Sequence, residues 1–217
     1  MKQGAIFDMD GLLFDTERLF RESWVEMAKR FGQVPQPEFP AAVAGTSGEG
    51  MRAVIRRYYP EVDAAAFQEG CIARTAEIVR EKLPEKPGIR EILAFFRERG
   101  VKIAVASSSS REMILDNLRR AEITSYFDAV VSGEEVSRGK PEPDIFLLAA
   151  QRLGCAPEDC YVFEDGINGV RAGIAAGCAA VMIPDLFPPT EDIRENCAGI
   201  YPSLLDARDA IADGILL

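Results

Sequence analysis

The sequence contains no histidine, which removes the side chain whose ordinary pKa lies nearest neutrality. Ser-His-Asp and Cys-His mechanisms are thereby excluded, and a zinc site would have to be built from cysteine and carboxylate alone. Proton transfer falls to carboxylates, lysines, tyrosines or water. Cysteine pairing is missing too. Cys71, Cys155, Cys160, Cys178 and Cys197 form no C-x-x-C motif, and an odd count leaves one unpaired in any intramolecular scheme. They read as reduced packing residues. No apolar run approaches the roughly 18–20 residues of a membrane span, and the strand at 3–9 is too short for a signal-peptide core. Positive charge is short as well: 25 Lys and Arg face 35 Asp and Glu, for a net charge of −10. Nucleic-acid binding draws on basic surface, so that class of partner is not expected. A cytoplasmic protein with no membrane partner is expected, and no long amphipathic seam suggests more than a monomer.

What remains is an ordinary soluble composition, 47% hydrophobic and 28% charged over 217 residues. That length allows one full domain plus a sizeable insertion. Ala5-Ile6-Phe7 is a short apolar run of the kind buried in parallel sheets, and it ends in Asp8-Met9-Asp10-Gly11. Side chains at i and i+2 share one face of an extended chain. Like charges so close repel unless a cation or proton intervenes, so the two acids point to joint action on one phosphate or metal. Read alone, Asp10-Gly11 is also a common turn dipeptide.

Helical spacing follows at Phe20, Trp24, Met27, Ala28 and Phe31, and Gly32 stops it. After a stretch with Pro35, Pro37 and Pro40, further helices are expected at about 48–59 and 63–83. No strand is evident between 16 and 83. Strand–helix alternation resumes after Pro84, with Pro87 suiting a first helical turn and Gly100 ending that helix. Apolar strands are expected at Val101–Ala106, Asp128–Ser132, Tyr161–Glu164 and Ala179–Ile183. Ser109-x-x-Glu112 suggests a capping box for a helix through Arg120, and helices at about 143–153 and 167–176 end at Gly154 and Gly177. Repeated β-α units require a parallel sheet with right-handed crossovers. The expected architecture is α/β: a Rossmann-like parallel sheet core over 1–15 and 84–217, interrupted by an inserted α-helical cap over 16–83.

Reactive groups in such sheets collect beyond the carboxyl ends of the strands. Asp8 and Asp10, Ser107, Lys140 and Glu164-Asp165 all fall there. Each has an ordinary reading as a turn, a helix cap or a surface lysine, but four at successive strand ends form a constellation. Converging carboxylates suit a hard, oxygen-liganded cation such as Mg²⁺. Asp8 could attack phosphorus, Asp10 could move protons, and Lys140, Ser107 and nearby N–H groups could offset phosphoryl charge.

Asp8-x-Asp10-Gly11, Ser107, Lys140-Pro141 and Glu164-Asp165 resemble, in order and spacing, the four motifs of the haloacid dehalogenase-like superfamily. The nearest group is the β-phosphoglucomutase-like phosphatases and mutases with a small helical cap. The resemblance implies Asp8 as nucleophile, Asp10 as acid/base, and Ser107 and Lys140 as catalytic phosphate ligands beside Ser108. It places Mg²⁺ on Asp8, Asp165 and the main-chain carbonyl of Asp10, with Glu164 assisting. It also implies a small phosphorylated metabolite as substrate, with Gly45 and Thr46 of the cap loop near it. Asp10 argues against a true dehalogenase, and Gly166 stands where relatives often carry serine. Mutases of this group carry a histidine and an arginine where this chain has Phe20 and Gly48, so hydrolysis is favoured over mutase chemistry. Arg52, Arg56 or Arg74 could replace the missing arginine. A phospho-acceptor signalling module uses a similar Asp, Ser/Thr, Lys and Mg²⁺ set, but the spacing and the cap count against it.

Overall fold

Ala5, Ile6 and Phe7 are completely buried, as a strand covered on both faces must be. In this computed structural model, which describes residues 1–43, 46, 48–81 and 83–216, they lie in β1 (Gly4–Phe7). The remaining strands are β2 (Lys102–Ser107), β3 (Ala129–Ser132), β4 (Cys160–Glu164), β5 (Ala179–Met182) and β6 (Gly199–Ile200). The helices in chain order are α1 (Thr16–Arg30), α2 (Phe39–Val43), α3 (Gly48–Tyr58), α4 (Ala64–Glu81), α5 (Ile89–Glu98), α6 (Arg111–Arg120), α7 (Asp144–Leu153), α8 (Ile167–Ala175), α9 (Glu191–Asn196) and α10 (Leu204–Ala212). All strand pairs are parallel, in the order β3-β2-β1-β4-β5-β6. Successive strands step outward from β1 on one side, then restart beside it on the other. Such a reversal opens a crevice at the carboxyl ends of β1 and β4, where α/β folds bind ligands.

The chain divides into two compact units, Met1–Phe14 with Glu85–Leu217, and Asp15–Pro84. In the sheet unit, alternation along β1 separates two layers. Ile6, Ala104, Ala106, Val131 and Val162 pack with Ile145, Phe146, Ala149 and Ala172 of α7 and α8. On the other face Phe7 stacks on Phe163 at 4.7 Å and meets Phe96 of α5 edge-on at 6.2 Å. Each such ring pair is worth about 0.5–1.5 kcal/mol beyond its buried area. The α5 helix begins at Ile89, because Gly88 at its N-cap has φ +90°. Pro87 therefore precedes the helix and does not occupy its first turn.

Among its described residues the second unit is built from the helices α1 to α4 and their connecting turns. Its core is aromatic: Trp24 stacks on Phe67 at 6.3 Å, and Phe39 meets Trp24 at 5.4 Å and Tyr59 at 5.0 Å. Phe39 belongs to α2, a short helix absent from the sequence reading, which follows Pro35 and Pro37 and carries Pro40 in its first turn. Buried hydroxyls are paired, with Thr75 donating to Ser23 at 2.9 Å and Ser23 to the Leu19 carbonyl at 3.0 Å.

The two crossings between the units are each bonded within one of them. Phe14 bridges Glu85 in antiparallel fashion within the sheet unit, and the Asp15 N–H donates to the Pro84 carbonyl at 2.9 Å within the helical unit. No described helix is long and apolar enough to cross a membrane.

After β3, Ser132 and Glu135 form a reciprocal capping box on the 3₁₀ turn Gly133–Glu135. The Arg152 guanidinium, followed by the Ser132 N–H, holds the Glu135 carboxyl down at about 2 from an ordinary 4.5. A carboxyl depressed by folding stabilises the fold fully above pH 4.5, and that contribution is lost as pH falls from 4.5 towards 2. Glu135→Gln should therefore cost about 1 kcal/mol at pH 7, a figure discounted for partial exposure. The difference from wild type should close towards pH 2. Urea unfolding of both proteins across that range is the measurement, and a difference independent of pH would contradict the assignment.

Candidate active site

The site is built from strand ends. The β1 ladder continues through the Asp8 N–H, which donates to the Phe163 carbonyl at 3.0 Å. The chain then turns tightly, with the Leu13 and Phe14 N–H groups donating to the Met9 carbonyl at 2.9 and 3.1 Å. Gly11 makes this turn with φ +88°. A Cβ there would lie 2.3 Å from an Asp165 carboxylate oxygen, so glycine is required both by the backbone and by the neighbouring acid.

Asp8, Lys140 and Glu164 meet below the surface. Lys140 Nζ donates to Asp8 Oδ1 and, at 2.6 Å, to Glu164 Oε1. It also lies 5.1 Å from the Phe146 ring centroid. The side chains of Lys140, Asp8 and Glu164 are 7%, 7% and 4% exposed. Glu164 Oε2 accepts the Gly166 N–H at 3.0 Å. Carboxylate oxygens of Asp8, Glu164 and Asp165 lie within 4.8 Å of one another. Counting Asp10, four carboxylates share one crevice with the Lys140 ammonium.

Burial is the main cause that pushes the Asp8 carboxyl well above its ordinary range; Lys140 opposes it, and Glu164 and Asp10 add to the rise. Burial pulls the Lys140 ammonium down, but the Asp8 and Glu164 charges outweigh it and the net shift is upward. Both shifts follow from surplus negative charge in a low-dielectric place. A divalent cation would relieve that surplus. The carboxylates of Asp8, Glu164 and Asp165, all hard oxygen donors, fit Mg²⁺ or a related ion better than a soft metal.

Asp10 is held separately. Ser107 Oγ donates to Asp10 Oδ2 at 3.1 Å and Ser109 Oγ to the same oxygen at 2.7 Å. Ser109 was expected to cap α6. The cap is instead Ser110, whose hydroxyl accepts the Met113 N–H, and this releases the Ser109 hydroxyl towards Asp10. A run of four serines hides which one caps, so Ser109 escaped the sequence reading. Ser108 is exposed.

In the helical unit, Thr46 donates its hydroxyl to the Val43 carbonyl at 2.6 Å. Gly45 lies outside the described residues, as do Ala44 and Ser47 of the same loop. Phe20 packs against the aromatic core. The three arginines considered as replacements are all paired: Arg74 with Glu26 and Glu77, Arg56 with Glu49, and Arg52 with Gln68. Gly48 has φ +51°, so an arginine introduced there would be strained.

A haloacid dehalogenase-like hydrolase family model matches residues 2–177. The chain belongs to that family. It is an enzyme of the hydrolase class that this family model describes. Among relatives, the phosphorylated carbohydrates phosphatase of Thermotoga maritima is 35% identical over 176 residues, covering 81% of this chain and 82% of that protein. The fructose-1-phosphate phosphatase YqaB of Escherichia coli K12 is 33% identical over 182 residues, 82% of this chain and 94% of that one. Among solved structures, a protein from Thermotoga maritima provisionally assigned as a β-phosphoglucomutase superposes with a TM-score of 0.77 at 29% identity, covering 97% of this chain and 99% of that one. The six-stranded parallel sheet is thus the hydrolase core of this family.

Gly169 also shapes this haloacid dehalogenase-like site. A Cβ on Gly169 in α8 would lie 1.7 Å from Glu164 Oε1 and 1.9 Å from its carboxyl carbon. The Glu164 carboxylate therefore rests against a helix face that only glycine leaves open. Gly169→Ala should displace Glu164 from Lys140 and cost about 1–3 kcal/mol of stability by overpacking. At Gly166 the added Cβ would meet the nearest Glu164 oxygen at 3.6 Å, an ordinary contact. Gly166→Ala should therefore stay within about 1 kcal/mol of wild type. Urea unfolding of the two variants checks this, and equal losses would refute it.

Proposed function

We propose that the chain hydrolyses small phosphate monoesters, sugar phosphates foremost, through an aspartyl-phosphate on Asp8. The observation that carries this reading is the buried Asp8 carboxylate, bonded to Lys140 two residues before an Asp10 that serines hold apart. One acid is thus presented with a cationic partner and the other with hydroxyl partners, a division that suits a nucleophile and an acid/base. Relatives named for phosphorylated carbohydrates and fructose 1-phosphate support the sugar phosphate class.

In this mechanism an Asp8 oxygen bonds to phosphorus as the ester P–O bond breaks. Asp10 gives its proton to the departing oxygen. Asp10 then takes a proton from water as that water attacks phosphorus, and phosphate leaves with Asp8 restored. Lys140 holds Asp8 in place and offsets the charge of the incoming phosphoryl group. Ser107 and the N–H groups of the 107–109 loop, Ser108 included, bind phosphoryl oxygens. Asp8, Asp165, Glu164 and the Asp10 carbonyl would hold Mg²⁺, which supplies charge neutralisation between carboxylate and phosphate. Gly45 and Thr46 belong to the loop proposed to read the leaving group.

A phosphosugar mutase is the second reading, favoured by the likeness to the provisional β-phosphoglucomutase of Thermotoga maritima. A mutase must grip the phosphate that is not transferred, and bidentate arginine does this well. Gly48 offers no such grip, and Arg52, Arg56 and Arg74 are paired within the helical unit.

Asp8→Asn should keep the fold and lower turnover by about 10³-fold or more, as loss of a nucleophile does. Near-wild-type activity in a sequence-verified preparation would reject the nucleophile. Activity should vanish in EDTA, return with Mg²⁺ and return poorly with Ca²⁺, which favours longer bonds and higher coordination. Full turnover in metal-free protein would reject the cation. Product analysis on β-glucose 1-phosphate with a bisphosphate primer should show inorganic phosphate, whereas faster glucose 6-phosphate formation would establish the mutase.

A further inference from the structure

Ser109 occupies a place for which the fold makes specific provision. Its hydroxyl reaches Asp10 Oδ2 at 2.7 Å, closer than Ser107 at 3.1 Å. Its N–H donates to Ser107 Oγ at 3.1 Å, and its carbonyl accepts from Ser132 Oγ at 2.7 Å. Ser132 is fully buried, and its own N–H donates to Glu135 Oε1 at 2.9 Å. Glu135 is tied to Arg152 and Arg111. At Gly133 an added Cβ would come within 3.0 Å of the Ser108 backbone, so the loop after β2 lies directly against the turn after β3. The Ser109 backbone is thus fixed on both sides while its hydroxyl points at the acid.

We infer that Ser109 is the positioning residue of Asp10, setting the direction in which that carboxyl faces the departing oxygen. The inference rests on the phosphatase reading above. There the Ser107 hydroxyl turns to a phosphoryl oxygen when substrate arrives. Ser109 is then the hydroxyl that stays on Oδ2. Proton delivery depends on the direction of the donor as well as its presence, and misplacement of a reacting group by about 1 Å can cost 10²-fold. A carboxyl that has lost the Ser109 hydroxyl would protonate a poor leaving group inefficiently. A leaving group that departs without a proton would not notice.

The test compares kcat/KM, which reports steps through Asp8 phosphorylation, on two substrates with Mg²⁺ present. One is p-nitrophenyl phosphate, whose phenolate leaves unprotonated; the other is an alkyl ester such as fructose 1-phosphate. Ser109→Ala should lower kcat/KM on the alkyl ester by about 10–100-fold, a share of the 10²–10⁴-fold supplied by general acid catalysis. On p-nitrophenyl phosphate the loss should be under about threefold. Ser109→Thr, which keeps the hydroxyl, should recover most of the alkyl activity. Asp10→Asn should show the same selectivity, and Ser109→Ala should cost little more in its background. Equal losses on both substrates, or no loss on either, would overturn the positioning role. If Asp10→Asn is selective and Ser109→Ala is not, this proposal alone fails. If Asp10→Asn hits both substrates equally, the acid assignment of the phosphatase reading fails and takes the proposal with it.

Discussion

Concentrating acidic charge where water is scarce is the constraint from which most of this structure follows. Asp8 and Glu164 are buried, Asp10 and Asp165 are partly so, and charges in such places cost free energy unless they are paired and hydrogen-bonded. The surroundings supply those partners one by one. Lys140 bridges two of the acids, serine hydroxyls hold a third, and a backbone N–H serves Glu164. The remaining electrostatic surplus would be relieved by a hard cation, as a phosphoryl-transfer site would require.

Geometry does the rest through the sheet. Central position in the strand order brings β1 next to both β2 and β4, so the residues just beyond three strands face one crevice. Lys140 arrives from the segment after β3, its ammonium lying 5.1 Å from the Phe146 ring centroid. Two glycines complete the crevice by omission. Gly11 and Gly169 stand where a methyl group would collide with Asp165 and Glu164, so the acids can lie against backbone.

Much of the sheet was legible in the sequence because buried parallel strands are written as short apolar runs, and five of the six stood out that way. The sixth, Gly199–Ile200, has only two residues and leaves no period to detect. The α2 helix was hidden by flanking prolines, which mark a loop locally although Phe39 is buried in an aromatic cluster. Asp8, Asp10, Lys140 and Glu164 were visible because reactive residue types at strand ends are unusual. Ser109 and Gly169 were not. Choosing between adjacent serines for a cap depends on where the helix starts, and the need for glycine at 169 depends on a carboxylate five residues away folding back onto the helix. Both are tertiary facts.

The paired crossings between the units bear on how such a chain can be assembled. Because the Asp15 N–H meets the Pro84 carbonyl, the helical unit begins and ends at nearly one point. Phe14 and Glu85, bridged to each other, close the sheet unit at the same stroke. An inserted segment whose ends coincide makes no demand on the spacing of its host, since the host needs only a gap one bridge wide. Within such an arrangement the helices between 15 and 84 can be lengthened, shortened or exchanged for another module without moving a strand.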